Sequence, residues 1–282
     1  MHKKRFKTKL YQKHIRMGSQ LTPVVKGLLL INVIIFALQA LVLDGQGIDL
    51  AKIGGLRSIF SSDFEPYQIF THFFIHANFD HLLGNMLPLF IFAPMLEYAW
   101  GGKRFLSFYV ACALGASFLH FLIHFFEIKQ FENLVQAYLN NPDPEQFNRL
   151  ILAKAPKLLY QDWYEFINVF AANPTDANLI TGSQERLTLL YQFYANSTIT
   201  GASGAIFGIL MGFGMLFPNM ELRFLFLPIS VKAKYMVMLY GAYETYSIIR
   251  DAPNDNIAHF AHLGGMLVAY ILIKYWVKTG KV

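Results

Sequence analysis

Three stretches of this chain hold residues able to do chemistry together. TITGASGAIFGILMGFGMLFP, residues 198–218, carries Ser203 between Gly201 and Gly204 at the start of an uncharged apolar run. THFFIHANFDHLLGN holds His72, His76, His81 and Asn85, and NIAHFAHLGGMLVAY holds His259 and His262. On a helix His81 and Asn85, four residues apart, share one face. A serine, a histidine able to take its proton and two hydrogen-bond donors are the parts of acyl transfer: nucleophile, general base and oxyanion stabiliser. Polar and ionisable side chains inside apolar spans mark function by default, because burying them in lipid is costly.

The elements that must position these residues follow from composition. Of 282 residues, 55% are hydrophobic and 15% charged, with mean hydropathy +0.36. A soluble domain carries about 25% charged residues. The apolar residues form blocks near the ~20-residue length that crosses a bilayer. These run approximately over 24–43, 80–98, 104–126, 199–217, 233–249 and 257–278. Pro88 and Pro94 interrupt the second, and Glu244 lies in the fifth. The expected fold is an all-α polytopic membrane protein of six transmembrane helices.

The net charge of +6 gathers in a basic tail over residues 1–20, with Lys3, Lys4, Arg5, Lys7, Lys9, Lys13 and Arg16 and no acid among them. Ahead of a span this marks the cytoplasmic side rather than a nucleic-acid site. The first block has no small-residue cleavage site and reads as a retained span. Lys103, Arg104, Arg223, Lys232, Lys234 and the terminal lysines then also lie inside. The chain is thus expected to be multi-pass in the cell membrane with both termini cytoplasmic, and the three chemical stretches lie near the outer face at similar depth. Core spans occupy 21–126 and 198–282. Between them, residues 127–197 read as an extracytoplasmic helical insertion between the third and fourth spans, polar and amphipathic, with Trp163, Tyr164 and Phe166 as candidate interfacial anchors.

Three motifs in matching spans, His76-x4-His81-x3-Asn85, Gly201-Ala202-Ser203-Gly204 and Ala261-His262-Leu263-Gly264-Gly265, resemble the rhomboid intramembrane serine proteases. The likeness covers the six-span core and leaves out the tail and the insertion. It implies that Ser203 is the nucleophile and His262 its base, a dyad without the usual acid. It implies further that His81, Asn85 and the Ser203 backbone N–H hold the oxyanion, with His76, Gly201 and Gly204 supporting. Glu97 and Gly101 match family positions at the inner end of the second span. Phe207 stands where many members carry a tyrosine, and a phenyl ring can still stack on the histidine. The implied activity is endopeptidase cleavage in or near transmembrane segments of other membrane proteins, with the lipid bilayer as medium and no metal or organic cofactor.

Small residues recur every four positions at Gly204, Gly208 and Gly212, and at Ala261, Gly265 and Ala269. Such stripes let helices approach closely, which is also what a serine and a histidine on separate helices need. His76, His81, His259 and His262 could ligate a metal, but there is no His-Glu-x-x-His and Cys112 is the only cysteine. No strand is expected to lead into Ser203, unlike an α/β-hydrolase elbow, and no repeated halves suggest a transporter. A non-catalytic rhomboid-like protein that binds spans is the alternative from another class. His72, His120, His124 and His259 read as structural or interfacial, and Glu244 as paired within the bundle.

Overall fold

The computed structural model describes residues 21–223, 230–250 and 258–280. The basic tail, Ile257 at the start of the sixth predicted span and Lys281 fall outside them. The first helix, α1 (Pro23–Leu38), continues through a turn of wider helix at Gln39–Leu43 and a tight turn at Asp44–Gln46. Pro23 suits the first turn of α1, where its missing N–H has no acceptor in any case. The buried Glu97 supplies the acceptor for its neighbours: its carboxylate takes Val24 N at 3.0 Å, Val25 N at 2.9 Å and the Thr22 hydroxyl at 2.5 Å. A negative charge at a helix N-terminus also complements the macrodipole.

A connecting segment holds α2 (Leu50–Gly54), β1 (Leu56–Arg57), α3 (Gln68–Thr71) and a tight turn at His72–Phe74. It leads to α4 (Phe79–Trp100), whose N-cap Asn78 accepts from His81 N at 2.8 Å. Helix α4 passes through Pro88 and Pro94 without ending, as spans packed among neighbours can. Gly101, at φ +79°, turns the chain into α5 (Gly102–Asn140). At 1.5 Å per residue, the 39 residues of α5 extend about 58 Å, roughly twice the hydrocarbon thickness.

Helices α6 (Pro144–Lys154), α7 (Lys157–Ala172) and α8 (Ala177–Ala195) follow. Asp143 caps α6 and Asp176 caps α8. After α8 come β2 (Thr198–Ile199), α9 (Ser203–Leu216), the hairpin strands β3 (Glu221–Arg223) and β4 (Ser230–Lys232), α10 (Ala233–Arg250) and α11 (His259–Lys278). The helical expectation is thus modified by two short antiparallel ladders. β1 pairs with β2 through Leu56–Ile199 and Arg57–Thr198, and β3 pairs with β4.

Among the described residues, Pro23–Gln46, Phe79–Trp100, Gly102–Asn140 and His259–Lys278 are long and apolar enough to cross a membrane. The chain is a multi-pass membrane protein. The predicted fourth span, 199–217, is helical only from Ser203, because residues 198–199 are drawn into the ladder with β1 and Gly201 breaks the backbone at φ +106°. Helix α5 runs straight on through residue 127, where the insertion was expected to begin.

Two apolar cores result. The larger joins α1, α4, α5, α9 and α11 around Leu89, Leu96, Phe105, Phe108, Ile209, Phe213 and Ala269. The smaller closes the far end of α5 (Phe131, Val135, Tyr138) against Phe147 and Ile151 of α6, Ile167 and Phe170 of α7, and Leu187 of α8. Of the three expected anchors only Tyr164 is exposed. Trp163 and Phe166 are half-buried and pack against this smaller core, with the Arg186 guanidinium 3.8 Å from the Phe166 ring centre. Rows of exposed apolar side chains on α1 and α4, such as Leu30, Ile34, Leu83, Leu87 and Phe90, suit contact with lipid.

Candidate active site

The site begins with the packing of α9 on α11. A Cβ added to Gly265 would strike the Gly204 carbonyl, and one added to Gly208 would come within 3.3 Å of the Gly265 carbonyl. One added to Gly212 would reach Ile273 at 3.5 Å. The contacts advance together along both chains, so the helices run parallel and in step. Ser203, the first residue of α9, and His262, in the first turn of α11, therefore share one end of the pair. Helix α5 closes the third side with its own small residues. Ala116 meets both Gly204 and Gly264, and Cys112 meets Gly208. That third small-residue face was not anticipated, although Cys112, Ala113, Gly115 and Ala116 are its visible signature in the chain.

Ser203 is half-buried and His262 buried. Phe207, one turn after Ser203, stacks on His262 with ring centroids 4.0 Å apart and planes 9° from parallel. Tyr240 of α10 meets the other edge of Phe207 at 6.0 Å. The stack locks the imidazole plane beside the start of α9.

Gly201 joins the third group. Its φ of +106° is a backbone that side-chain-bearing residues rarely adopt. A Cβ there would lie 2.5 Å from His81 Nε2 and 3.6 Å from Asn85 Nδ2. The glycine thus lets α4 bring His81 and Asn85 up to the backbone just before Ser203. Asn85 Nδ2 donates to the His81 carbonyl at 2.9 Å, which orients the amide. His76 is fully buried, its ring edge-on to His81 at 5.1 Å. The first N–H groups of a helix, that of Ser203 among them, have no intrahelical acceptor and can receive an anion.

A hollow beside Ser203 is lined by His72, Ser117, Ile199, Gly201, Ala202 and Ala261. His81 and Asn85 lie against Gly201 and His262 against Phe207, outside this lining. His72 is held at both nitrogens, donating from Nδ1 to the Gln68 carbonyl at 2.7 Å and facing the Ser117 hydroxyl with Nε2 at 2.9 Å. Burial, partly offset by the Gln68 bond, pushes its pKa down to about 4 and keeps it neutral. His120 and His124 stack at 5.4 Å, and His124 bonds the Ser197 hydroxyl at 3.0 Å, fastening α5 to the segment after α8.

Glu244 is paired within the bundle, as expected. Its carboxylate, 2% exposed on α10, puts Oε2 2.5 Å from His259 Nδ1 and 3.0 Å from His262 Nδ1. An acid does stand behind His262. Glu244, His259 and His262 offer ligand atoms within 4.8 Å of one another and are the residues able to hold a metal ion among those described. His76 and His81, weighed as ligands from the sequence, are not in that group.

The family model for the Rhomboid domain matches residues 63–127 and 179–279, more than half of the chain, and passes over most of the insertion. A Bacillus subtilis (strain 168) protein, "Putative rhomboid protease YdcA", is 40% identical over 50 residues, 18% of this chain and 25% of that one. The likeness therefore spans about a quarter of the relative's length. No solved structure matches.

Proposed function

The chain belongs to the rhomboid family, and from that premise we propose that it is an intramembrane serine endopeptidase cutting in or near transmembrane segments of other membrane proteins. The observation that carries the proposal is the meeting of three helix ends. Ser203 opens α9, His262 is stacked on Phe207 of the same helix, and His81 and Asn85 lie against Gly201.

His262 takes the Ser203 hydroxyl proton as Oγ attacks the scissile carbonyl carbon. The carbonyl oxygen, now an anion, receives hydrogen bonds from His81, Asn85 and the Ser203 N–H. The protonated His262 returns its proton to the leaving amine, which frees the first product and leaves an acyl-enzyme. Water, deprotonated by His262, then hydrolyses the ester and restores Ser203. A substrate helix must unwind locally to offer its carbonyl, because helical amides are hydrogen-bonded to one another. No metal is called for by this chemistry.

The 14 residues of α9 rise only about 21 Å, less than the ~30 Å hydrocarbon core, which supports a depth for Ser203 below one membrane surface. Together with the charge pattern this favours six spans, both termini cytoplasmic and the site opening outward, with α9 and α10 as the two spans that are short or polar.

Cleavage of a fluorogenic transmembrane substrate by the purified full chain tests the proposal. Ser203→Ala and His262→Ala should each abolish turnover while the protein stays folded, and a fluorophosphonate should label Ser203. Wild-type-like turnover by either variant would remove the dyad. A folded wild-type protein that neither cleaves nor reacts would be the span-binding, non-catalytic relative instead.

A further inference from the structure

We propose that Glu244 is a positioning residue for catalysis, making the reactive unit a Ser203–His262–Glu244 triad in which His259 holds the acid. The inference rests on the protease reading above and deepens it, since the family resemblance implies a dyad with no acid. A carboxylate 2% exposed is costly to bury unless it is paired and hydrogen-bonded. The chain surrounds this one with two imidazoles on α11, three residues apart and so on one helix face.

The two imidazoles are held differently. His259 Nδ1 donates an aligned hydrogen bond to Oε2 at 2.5 Å. His262 Nδ1 sits 3.0 Å from the same oxygen with its N–H out of line for a hydrogen bond. His259 therefore fixes the carboxylate, and the carboxylate's charge faces His262. The Phe207 stack holds the plane of the His262 ring and so keeps Nδ1 turned toward Oε2 at this distance.

The chemical consequence concerns which nitrogen carries the proton. A carboxylate opposite Nδ1 selects the tautomer protonated there and leaves the Nε2 lone pair for the Ser203 proton. When Nε2 takes that proton the ring becomes a cation beside a fixed anion in a water-poor interior, where such a pairing counts for far more than in water. Glu244 stays ionised throughout, and the proton leaves on the departing amine.

The test is steady-state cleavage by the full chain carrying Glu244→Gln. Expected is a fall in kcat of between about tenfold and the roughly 10⁴-fold that amide replacement of a triad acid causes elsewhere. KM should stay within about twofold. Glu244→Asp, which keeps the charge, should recover part of the loss. Wild-type kcat in Glu244→Gln overturns the triad while leaving the protease reading intact. A wild-type chain that neither cleaves nor labels at Ser203 overturns that reading itself. If Glu244→Gln fails to fold, the wild-type protein still decides: nitrogen NMR of labelled histidines, with the His262 signals identified by their loss in His262→Ala, should show the neutral His262 ring protonated at Nδ1, and a ring protonated at Nε2 overturns the proposal. Activity lost to a chelator and restored by zinc would make the three residues a metal site and overturn it as well.

Discussion

Phe207 lies flat on His262, at a centroid separation of 4.0 Å and 9° from parallel. Each ring belongs to a different helix, so the contact couples the orientation of the imidazole to the helix that carries Ser203. An aromatic pair contributes about 0.5–1.5 kcal/mol beyond area burial, and 1.4 kcal/mol is tenfold in rate. Phe207→Ala should therefore lower kcat by up to about tenfold with little change in KM, and Phe207→Tyr should keep most of the activity. Turnover of the model substrate by both variants checks this, and an unchanged kcat for the alanine variant would leave the stack with packing alone.

Asn85→Ala removes one donor at the position facing Gly201 while His81 and the Ser203 N–H remain. Loss of one such donor costs about 10²–10³-fold in kcat, so residual cleavage should be measurable. Gly201→Ala should be more damaging, because its Cβ would press on His81 at 2.5 Å from a strained backbone. A variant of Asn85 that alters only KM would assign the amide to substrate positioning.

Gly265→Ala should destabilise the folded chain, because its methyl would strike the Gly204 carbonyl, which is backbone and cannot swing aside. Overpacking of this kind costs about 1–3 kcal/mol. The thermal midpoint in detergent should fall, and fluorophosphonate labelling of Ser203 should fall with it. Gly84→Ala, where a Cβ meets open space, is the matched control and should change neither.

Orientation can be read from one thiol. Asp143, the N-cap of α6 in the insertion, should react from outside the cell when changed to Asp143→Cys and exposed to an impermeant maleimide. The native Cys112 is buried and should stay silent. Labelling only after permeabilisation would invert the topology and the depth assigned to Ser203.

Much of the site is legible in the chain because its parts are chemically unusual where they stand: a serine, histidines and an asparagine at the ends of apolar blocks. The glycine stripes likewise announce that two helices touch. Glu244 is harder to place. It sits 15 residues before His259 on a helix rich in tyrosine and polar groups, and nothing in that spacing says which way the helix faces. The start of α9 is equally hidden, since Thr198 and Ile199 look like more of an apolar span until Leu56 and Arg57 are found to pair with them. Trp163 and Phe166 are ambiguous in the chain, because a small core and a surface film recruit the same aromatic residues.

Helix α5 gives the two apolar cores a single axle. One end carries Phe131, Val135 and Tyr138 in the insertion, and Ala116, between one and two dozen positions earlier, is wedged against Gly204 and Gly264. There is no proline along its length to absorb a twist. A load that tilts the insertion is therefore delivered as torque at Ala116, against the glycine that follows Ser203.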